Sequence, residues 1–283
     1  VSRPLDEVAF TILDVETTGL NPHFGDRVCE IALLRCQGDR ELGRFHSLVN
    51  PGRGISPGAF AVNGIRDEDL IGAPAFGDVA PAMLDVLGDS VIVAHNAPFD
   101  LGFLAAELEI CRLPFIDNMV IDTLPLARRG YSFPSNSLQN VAYYLGIDTW
   151  GQHRALADVV TTKEVLDHFL ADLVERGVST LGDLMELQGG RIRLPRGEMI
   201  VLPPHLEEAL RCEGELELRY VSASGQETQR AVSPLRVAAY AGHLYLIAVC
   251  HLRNEQRTFR LDRIVEMRSE GDSATTGASW REP

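Results

Sequence analysis

The sequence predicts an α/β fold, a mixed sheet flanked by helices, followed by a small all-β barrel. Three observations carry this prediction. Strand-like apolar runs come first and then alternate with helical periodicity as far as Glu175. After Gly177 the helical segments are short, and from Glu215 onward β-branched and aromatic residues alternate with polar ones. At 283 residues the chain is long enough to build two hydrophobic cores.

In chain order, Phe10 to Val15 reads as a buried strand entered from a polar N-terminus, Arg27 to Cys36 as a second and Arg44 to Val49 as a third. Asn50-Pro51-Gly52 and Ser56-Pro57-Gly58 supply turns. Ala75 to Leu87 has helical spacing and stops at Gly88. Val91 to Ala94 is wholly apolar, which suits a strand buried on both faces of a largely parallel sheet. Phe99 to Glu109 reads as a helix, Asn118 to Ile121 as a short strand, and Ser137 to Leu145 as a helix closed by Gly146. Ala155 to Glu175 is the longest helix, so the first domain is expected over residues 1–176. Residues 177–199 read as a linker with a short helix, Leu181 to Leu187, broken at Gln188-Gly189-Gly190. Pro203-Pro204 open a helix over Leu206 to Cys212. Strands at Glu215 to Val221, Arg230 to Val232, Leu244 to Val249 and Thr258 to Leu261, with hairpin turns at Gly225 and Gly242, fit a barrel of about five strands over residues 200–270. Residues 271–283 are Ser/Thr/Gly-rich and read as a flexible tail.

Composition narrows the function classes. The chain is 45% hydrophobic and 23% charged, ordinary values for a globular protein. No apolar run approaches the roughly 18–20 residues that span a bilayer, and Val1-Ser2-Arg3-Pro4 has no signal-peptide pattern, so no membrane partner is expected. Cys29, Cys36, Cys111, Cys212 and Cys250 are odd in number and never paired as CxxC, which argues for free thiols in a reducing cytoplasm. The net charge of −14 is a weak objection to a nucleic-acid substrate, because it is uneven. Residues 1–176 carry 13 basic against 25 acidic side chains, whereas 228–268 carry seven arginines against three acids.

The chemistry lies in three segments. Asp14 and Glu16 are two apart at the end of the first strand, so both carboxylates project from one face at the sheet's carboxyl edge. Like charges this close repel, and a hard divalent cation, Mg²⁺ or Mn²⁺, resolves the conflict. Asp100, in His95-Asn96-Ala97-Pro98-Phe99-Asp100, falls in the first turn of a helix after the fourth strand. Asp158 falls in the first turns of the long helix, with His153 on the loop before it. Histidine titrates near neutral pH and can take a proton from water.

Together these segments resemble the DEDDh (DnaQ-like) exonucleases, the superfamily of the bacterial polymerase III proofreading subunit, ribonuclease T and oligoribonuclease. The resemblance rests on Asp14-Val15-Glu16-Thr17-Thr18-Gly19, on His95 to Asp100 and on His153-Arg154-Ala155-Leu156-Ala157-Asp158. Softer matches are Asn63-Gly64-Ile65, Asp122-Thr123 and Ser137-Leu138. It covers roughly residues 6–175 and implies a ribonuclease H-like fold with a two-metal mechanism. By position, Asp14, Glu16, Asp100 and Asp158 would hold two Mg²⁺ or Mn²⁺, and His153 would deprotonate the attacking water. The implied product is a 5′-nucleoside monophosphate released from a 3′ end. Thr17, Thr18, Leu20, Asn96 and Phe99 fall at positions implied to bind the terminal nucleotides.

The second part resembles a WYL domain, a small Sm-like/SH3-like barrel. The residues that carry this are Leu218-Arg219-Tyr220, Gly225, Pro234-Leu235, Gly242 to Leu246 and Arg257 to Ile264. The name-giving tripeptide is here Leu244-Tyr245-Leu246, without its Trp. The resemblance implies ligand sensing, for instance of a small nucleotide, or binding of single-stranded nucleic acid. Arg257, Arg260 and Arg263 with Tyr220 and Tyr245 are the phosphate-binding and stacking candidates. Along one strand Arg257 and Arg263 share a parity that Arg260 lacks, so the three share a surface only if the strand bends or ends.

The expected function is therefore a metal-dependent 3′→5′ exonuclease, with single-stranded DNA the preferred partner. The alternatives are an RNA 3′-end-trimming exoribonuclease, a non-catalytic nucleic-acid-binding regulator, and a replicative proofreading subunit. The intact catalytic positions argue against the regulator, and a folded module in place of a polymerase-binding tail argues against the last.

Overall fold

The computed structural model describes residues 3–22, 25–149, 151, 153–192, 202–212, 214–222, 225–240 and 243–269. Gly242, residues 193–199 of the expected linker, residues 200 and 201 of the expected barrel domain and the tail from Gly271 lie outside them. The chain forms two compact units, built mainly from residues 1–198 and 199–283.

The first unit is a five-stranded mixed sheet between two helical layers. Its strands are β1 (Phe10–Thr17), β2 (Val28–Gln37), β3 (Arg40–Leu48), β4 (Val91–Ala94) and β5 (Val120–Asp122), in the order β3-β2-β1-β4-β5. β1 to β3 form an antiparallel meander, whereas β4 and β5 run parallel to β1. The helices are α1 (Pro57–Asn63), α2 (Phe76–Leu87), α3 (Ala97–Ile110), α4 (Thr123–Gly130), α5 (Leu138–Leu145), α6 (Ala155–Glu175) and α7 (Leu181–Gln188).

Strand alternation divides the core. On β1, Leu13 and Val15 pack with α2 and α3 through Met83, Phe103 and Leu104. Phe10 and Ile12 face the other way, into a cluster with Val159 and Phe169 of α6 and Leu181 and Leu184 of α7. Asp14 and Glu16 continue this second series beyond the apolar part of the strand. α6 thus covers the face from which both carboxylates project.

α7 lies in the segment read as a linker, yet its side chains belong to this core. Gln188 is buried and pairs with the edge strand β5, donating to Val120 O at 2.9 Å and accepting from Asp122 N at 2.9 Å. Its side-chain amide replaces a sixth strand.

The second unit contains α8 (Pro204–Cys212) and an antiparallel sheet of β6 (Leu216–Val221), β7 (Glu227–Tyr240), β8 (His243–Cys250), β9 (Glu255–Arg260) and β10 (Ile264–Ser269). The order is β10-β6-β7-β8-β9. Leu206 and Ala209 of α8 are buried, as are Leu218, Val232, Leu246, Phe259 and Ile264 of the sheet. Gly225, at φ 81°, makes the β6–β7 turn, donating to Ser222 O at 3.0 Å.

The expected barrel is corrected to an open sheet among the described residues. β9 does not turn back on β10. A 3-10 turn, Leu261–Arg263, takes the chain out of β9 into β10, which pairs with β6 at the far side. The single long strand β7 replaces the short one expected at Arg230 to Val232. Pro234 stands beside a register irregularity with β8, between Pro234 and Arg236, and beyond the end of the pairing with β6 at Val232, the kind of place where a strand tolerates proline.

Candidate active site

The expected catalytic residues come together at the carboxyl end of β1. Asp14, Glu16 and Asp158 each present a carboxylate oxygen within 4.8 Å of the other two. Asp158 stands in the first turn of α6 and Asp100 in the first turn of α3, where both are buried. Asp100 reaches β1 from the opposite layer, its Oδ1 accepting from Val15 N at 3.1 Å. The parallel pairing of β4 with β1 sets this reach, because α3 starts directly after the short β4 loop.

Electrostatically the cluster is frustrated. Burial, then the neighbouring Asp100, Glu16 and Asp158 charges, raises the Asp14 pKa well above its ordinary value. Burial, with Asp158 and Glu30 nearby, raises Glu16 to about 8. Asp100 and Asp158 are also raised, chiefly by burial. Such a set of hard oxygen donors fits a divalent cation such as Mg²⁺ or Mn²⁺, which would favour the charged forms.

His153 lies just before α6 with φ 59°, left-handed backbone that a non-glycine residue seldom adopts. Its backbone amide bonds the Asp158 carboxylate, and its ring lies close enough to interact with that charge. His95 stands apart from this group. Its ring bridges Thr123 Oγ1 and Asn136 O, each at 2.8 Å, and burial lowers its pKa.

The nucleotide-binding candidates differ in what they leave available. Leu20 is 77% exposed beside the cluster's strand. Thr17 and Thr18 are buried and point into the loop. Thr17 Oγ1 donates to Gly19 O at 2.5 Å, and Thr18 Oγ1 accepts from Arg27 N at 3.0 Å. Asn96 adopts φ 73°, with its amide bonded to Asp122 Oδ1 at 2.9 Å and its side chain exposed. Phe99 is half-buried against Phe103, ring centroids 5.0 Å apart.

In the second unit, Tyr245 and Arg260 are cross-strand partners, and Tyr220 meets Phe259 edge-on at 5.2 Å. Arg260 pairs with Asp262 through Nε at 2.9 Å, and Arg257 lies 3.7 Å from Glu255. β9 ends at Arg260 and Arg263 sits in the 3-10 turn, so strict strand alternation does not extend to Arg263.

Three residues around the cluster stand out less in the sequence. Asn63 Nδ2 donates to Thr17 O at 3.2 Å, and Asn63 also hydrogen-bonds the Glu16 side chain. Glu30 and Arg154 form an ion pair at 2.9 Å beside Glu16. The sequence signal for that pair is one acid inside the apolar run Val28-Cys29-Glu30-Ile31-Ala32.

Known proteins extend these observations. A family model for RNase T-type exonucleases matches residues 11–166. The chain belongs to this exonuclease family, a family of divalent-metal-dependent phosphodiester hydrolases. A WYL domain model matches residues 203–269, so the particular arrangement is an exonuclease domain followed by a WYL domain. A DNA polymerase III subunit epsilon-like protein of Rhodobacter capsulatus is 38% identical over 187 residues, 64% of this chain and 26% of that protein. The DNA polymerase III subunit epsilon of Treponema pallidum is 34% identical over 59% of this chain and 78% of its own length. The chain thus spans about a quarter of the first relative and most of the second. Among solved structures, E. coli exonuclease I in complex with a dT13 oligonucleotide gives a TM-score of 0.53 at 18% identity, covering 86% of this chain and 55% of that one. That likeness concerns the fold alone.

Proposed function

We propose that the protein is a metal-dependent 3′→5′ exonuclease that releases 5′-nucleoside monophosphates, preferentially from single-stranded DNA. The observation that carries this reading is the meeting of four carboxylates and a histidine, drawn from three distant segments, at one end of β1. Asp14, Glu16, Asp100 and Asp158 would hold two Mg²⁺ or Mn²⁺. When bound, such ions offset charge on the attacking and leaving oxygens. His153 accepts a proton from the water whose oxygen attacks the terminal phosphorus. The bond from that phosphorus to the 3′ oxygen of the shortened strand breaks. The phosphate leaves with the terminal nucleoside, and the new 3′ oxygen takes a proton from solvent. Leu20, Asn96 and Phe99 border the place where the terminal nucleotides would lie, and Thr17 and Thr18 shape its wall from inside the loop. The WYL sheet, through Tyr220, Tyr245, Arg257, Arg260 and Arg263, would grip the strand or sense a small nucleotide. Free thiols throughout fit a reducing compartment such as the cytoplasm.

The test uses 5′-labelled single-stranded DNA, duplex DNA and RNA with Mg²⁺, Mn²⁺ or EDTA, beside Asp14→Ala. The expected result is a ladder of 3′-shortened products that needs metal and is lost in the variant. RNA shortened faster than DNA would reassign the substrate. No shortening of any substrate would overturn the enzyme reading.

A further inference from the structure

Glu30 is an acid with no role in the chemistry above. It is 1% exposed, the third residue of β2, inside the buried run of residues 28–34 whose other side chains are all apolar. A carboxylate can stay charged at such a place only if donors replace its water. In the antiparallel register Glu30 lies directly opposite Glu16, so the two side chains share the α6 face of the sheet. It therefore stands next to the acidic cluster.

Its oxygens are fully engaged. Oε1 accepts from Arg154 Nη2 at 2.9 Å and faces His46 Nε2 at 2.7 Å. Oε2 accepts from Arg154 Nε at 2.9 Å and from Ala155 N at 3.1 Å. Burial alone would raise its pKa, but the Arg154, His46 and Ala155 donors outweigh burial and hold it below the ordinary carboxyl value. Arg154 directly follows His153 and is the N-cap of α6, yet its side chain makes no capping bond to the helix. The first amide of the helix turns instead to Glu30 on the facing strand. His153, in left-handed backbone, is thus followed at once by two residues gripped by one buried carboxylate. Uncommon backbone of this kind persists where the surroundings over-determine it.

We infer that Glu30 is a positioning residue for His153. By holding the Arg154 guanidinium and the Ala155 amide, it fixes the corner that presents the imidazole to Asp158. Saturation by its own donors leaves Glu30 outside the cation-binding set. The inference rests on the exonuclease reading, in which His153 is the proton acceptor.

The test is a double-mutant cycle on the full chain: wild type, Glu30→Gln, His153→Ala and both together, assayed with Mn²⁺ on single-stranded DNA. Glu30→Gln is expected to lower kcat about 10- to 100-fold with KM changed less than about threefold. In the His153→Ala background the same substitution should change kcat less than about twofold, because its effect passes through the missing ring. Equal fold-losses in both backgrounds, or an unimpaired Glu30→Gln enzyme, overturn the inference. If Glu30→Gln does not fold, Arg154→Gln, half-exposed and outside the core, takes its place in the cycle under the same criterion. If the wild type hydrolyses nothing, the exonuclease reading has failed separately. The His153 ring NMR resonances then decide: identical shifts in wild type and variant overturn the positioning role.

Discussion

At Glu16 folding and proton binding are coupled. Its pKa rises from 4.5 to about 8, chiefly through burial and then through Asp158 and Glu30. Between these values the folded, metal-free protein keeps a proton that the unfolded chain releases. Stability in EDTA should therefore fall as pH rises from about 4.5 to about 8, and level off above. His95, whose pKa is lowered by burial, works in the opposite sense, stabilising the fold as pH rises. The comparison that isolates Glu16 is with Glu16→Gln. In EDTA the Tm of the wild type should fall more steeply over this window than that of the variant. Added Mn²⁺ should raise the wild-type Tm more at pH about 8 than at pH about 5.5, since the cation needs the charged carboxylate. Parallel Tm–pH curves for the two proteins would show that Glu16 does not carry this linkage.

At the scale of elements, strong patterns made the central architecture readable. β1, β2, β4, α3, α5 and α6 lie close to their expected places, because each has a continuous apolar run of strand length or a high apolar content over helical length, and a proline or glycine marks an end of α3 and α5. The elements that escaped lack these marks. α4 begins Thr123-Leu124-Pro125 and has only a short apolar face, and α1 opens on Ser56-Pro57-Gly58, which has the composition of a turn. β3 begins at Arg40 rather than Arg44, since an edge strand carries polar residues on an exposed face. Asp14, Glu16, Asp100, His153 and Asp158 were readable because each sits at a predicted element end. Glu30 was not, because its meaning depends on a register with β1 and on a helix more than a hundred residues away. α7 was expected, but not the use of Gln188 as a surrogate strand. Gln188→Ala leaves Val120 O and Asp122 N without their buried partner and should cost about 1–3 kcal/mol of unfolding free energy. Urea titration would measure this, and a loss below about 0.5 kcal/mol would mean that water replaces the amide at that edge.

Over the whole molecule, a net charge of −14 works against any polyanionic substrate, so positive charge has to be concentrated locally. If the WYL arginines grip the strand, replacing Arg257, Arg260 and Arg263 together with Gln should weaken oligo-dT binding and flatten its dependence on salt. The log–log slope should change by about 0.7 for each phosphate that is no longer neutralised. Fluorescence anisotropy in EDTA over a NaCl series measures it, and an unchanged slope would leave ligand sensing as the role of that unit. The openness of the second sheet has a further consequence, for colloidal behaviour. Among the described residues the sheet ends at β9 and β10, and an edge strand's outer row of peptide groups is a template onto which another molecule could add a strand. Both rows carry charge: Glu255 and Arg257 on β9, Glu266 and Arg268 on β10. An incoming strand would have to desolvate these groups, so the same side chains that spoil an ideal strand pattern act as gatekeepers against aggregation.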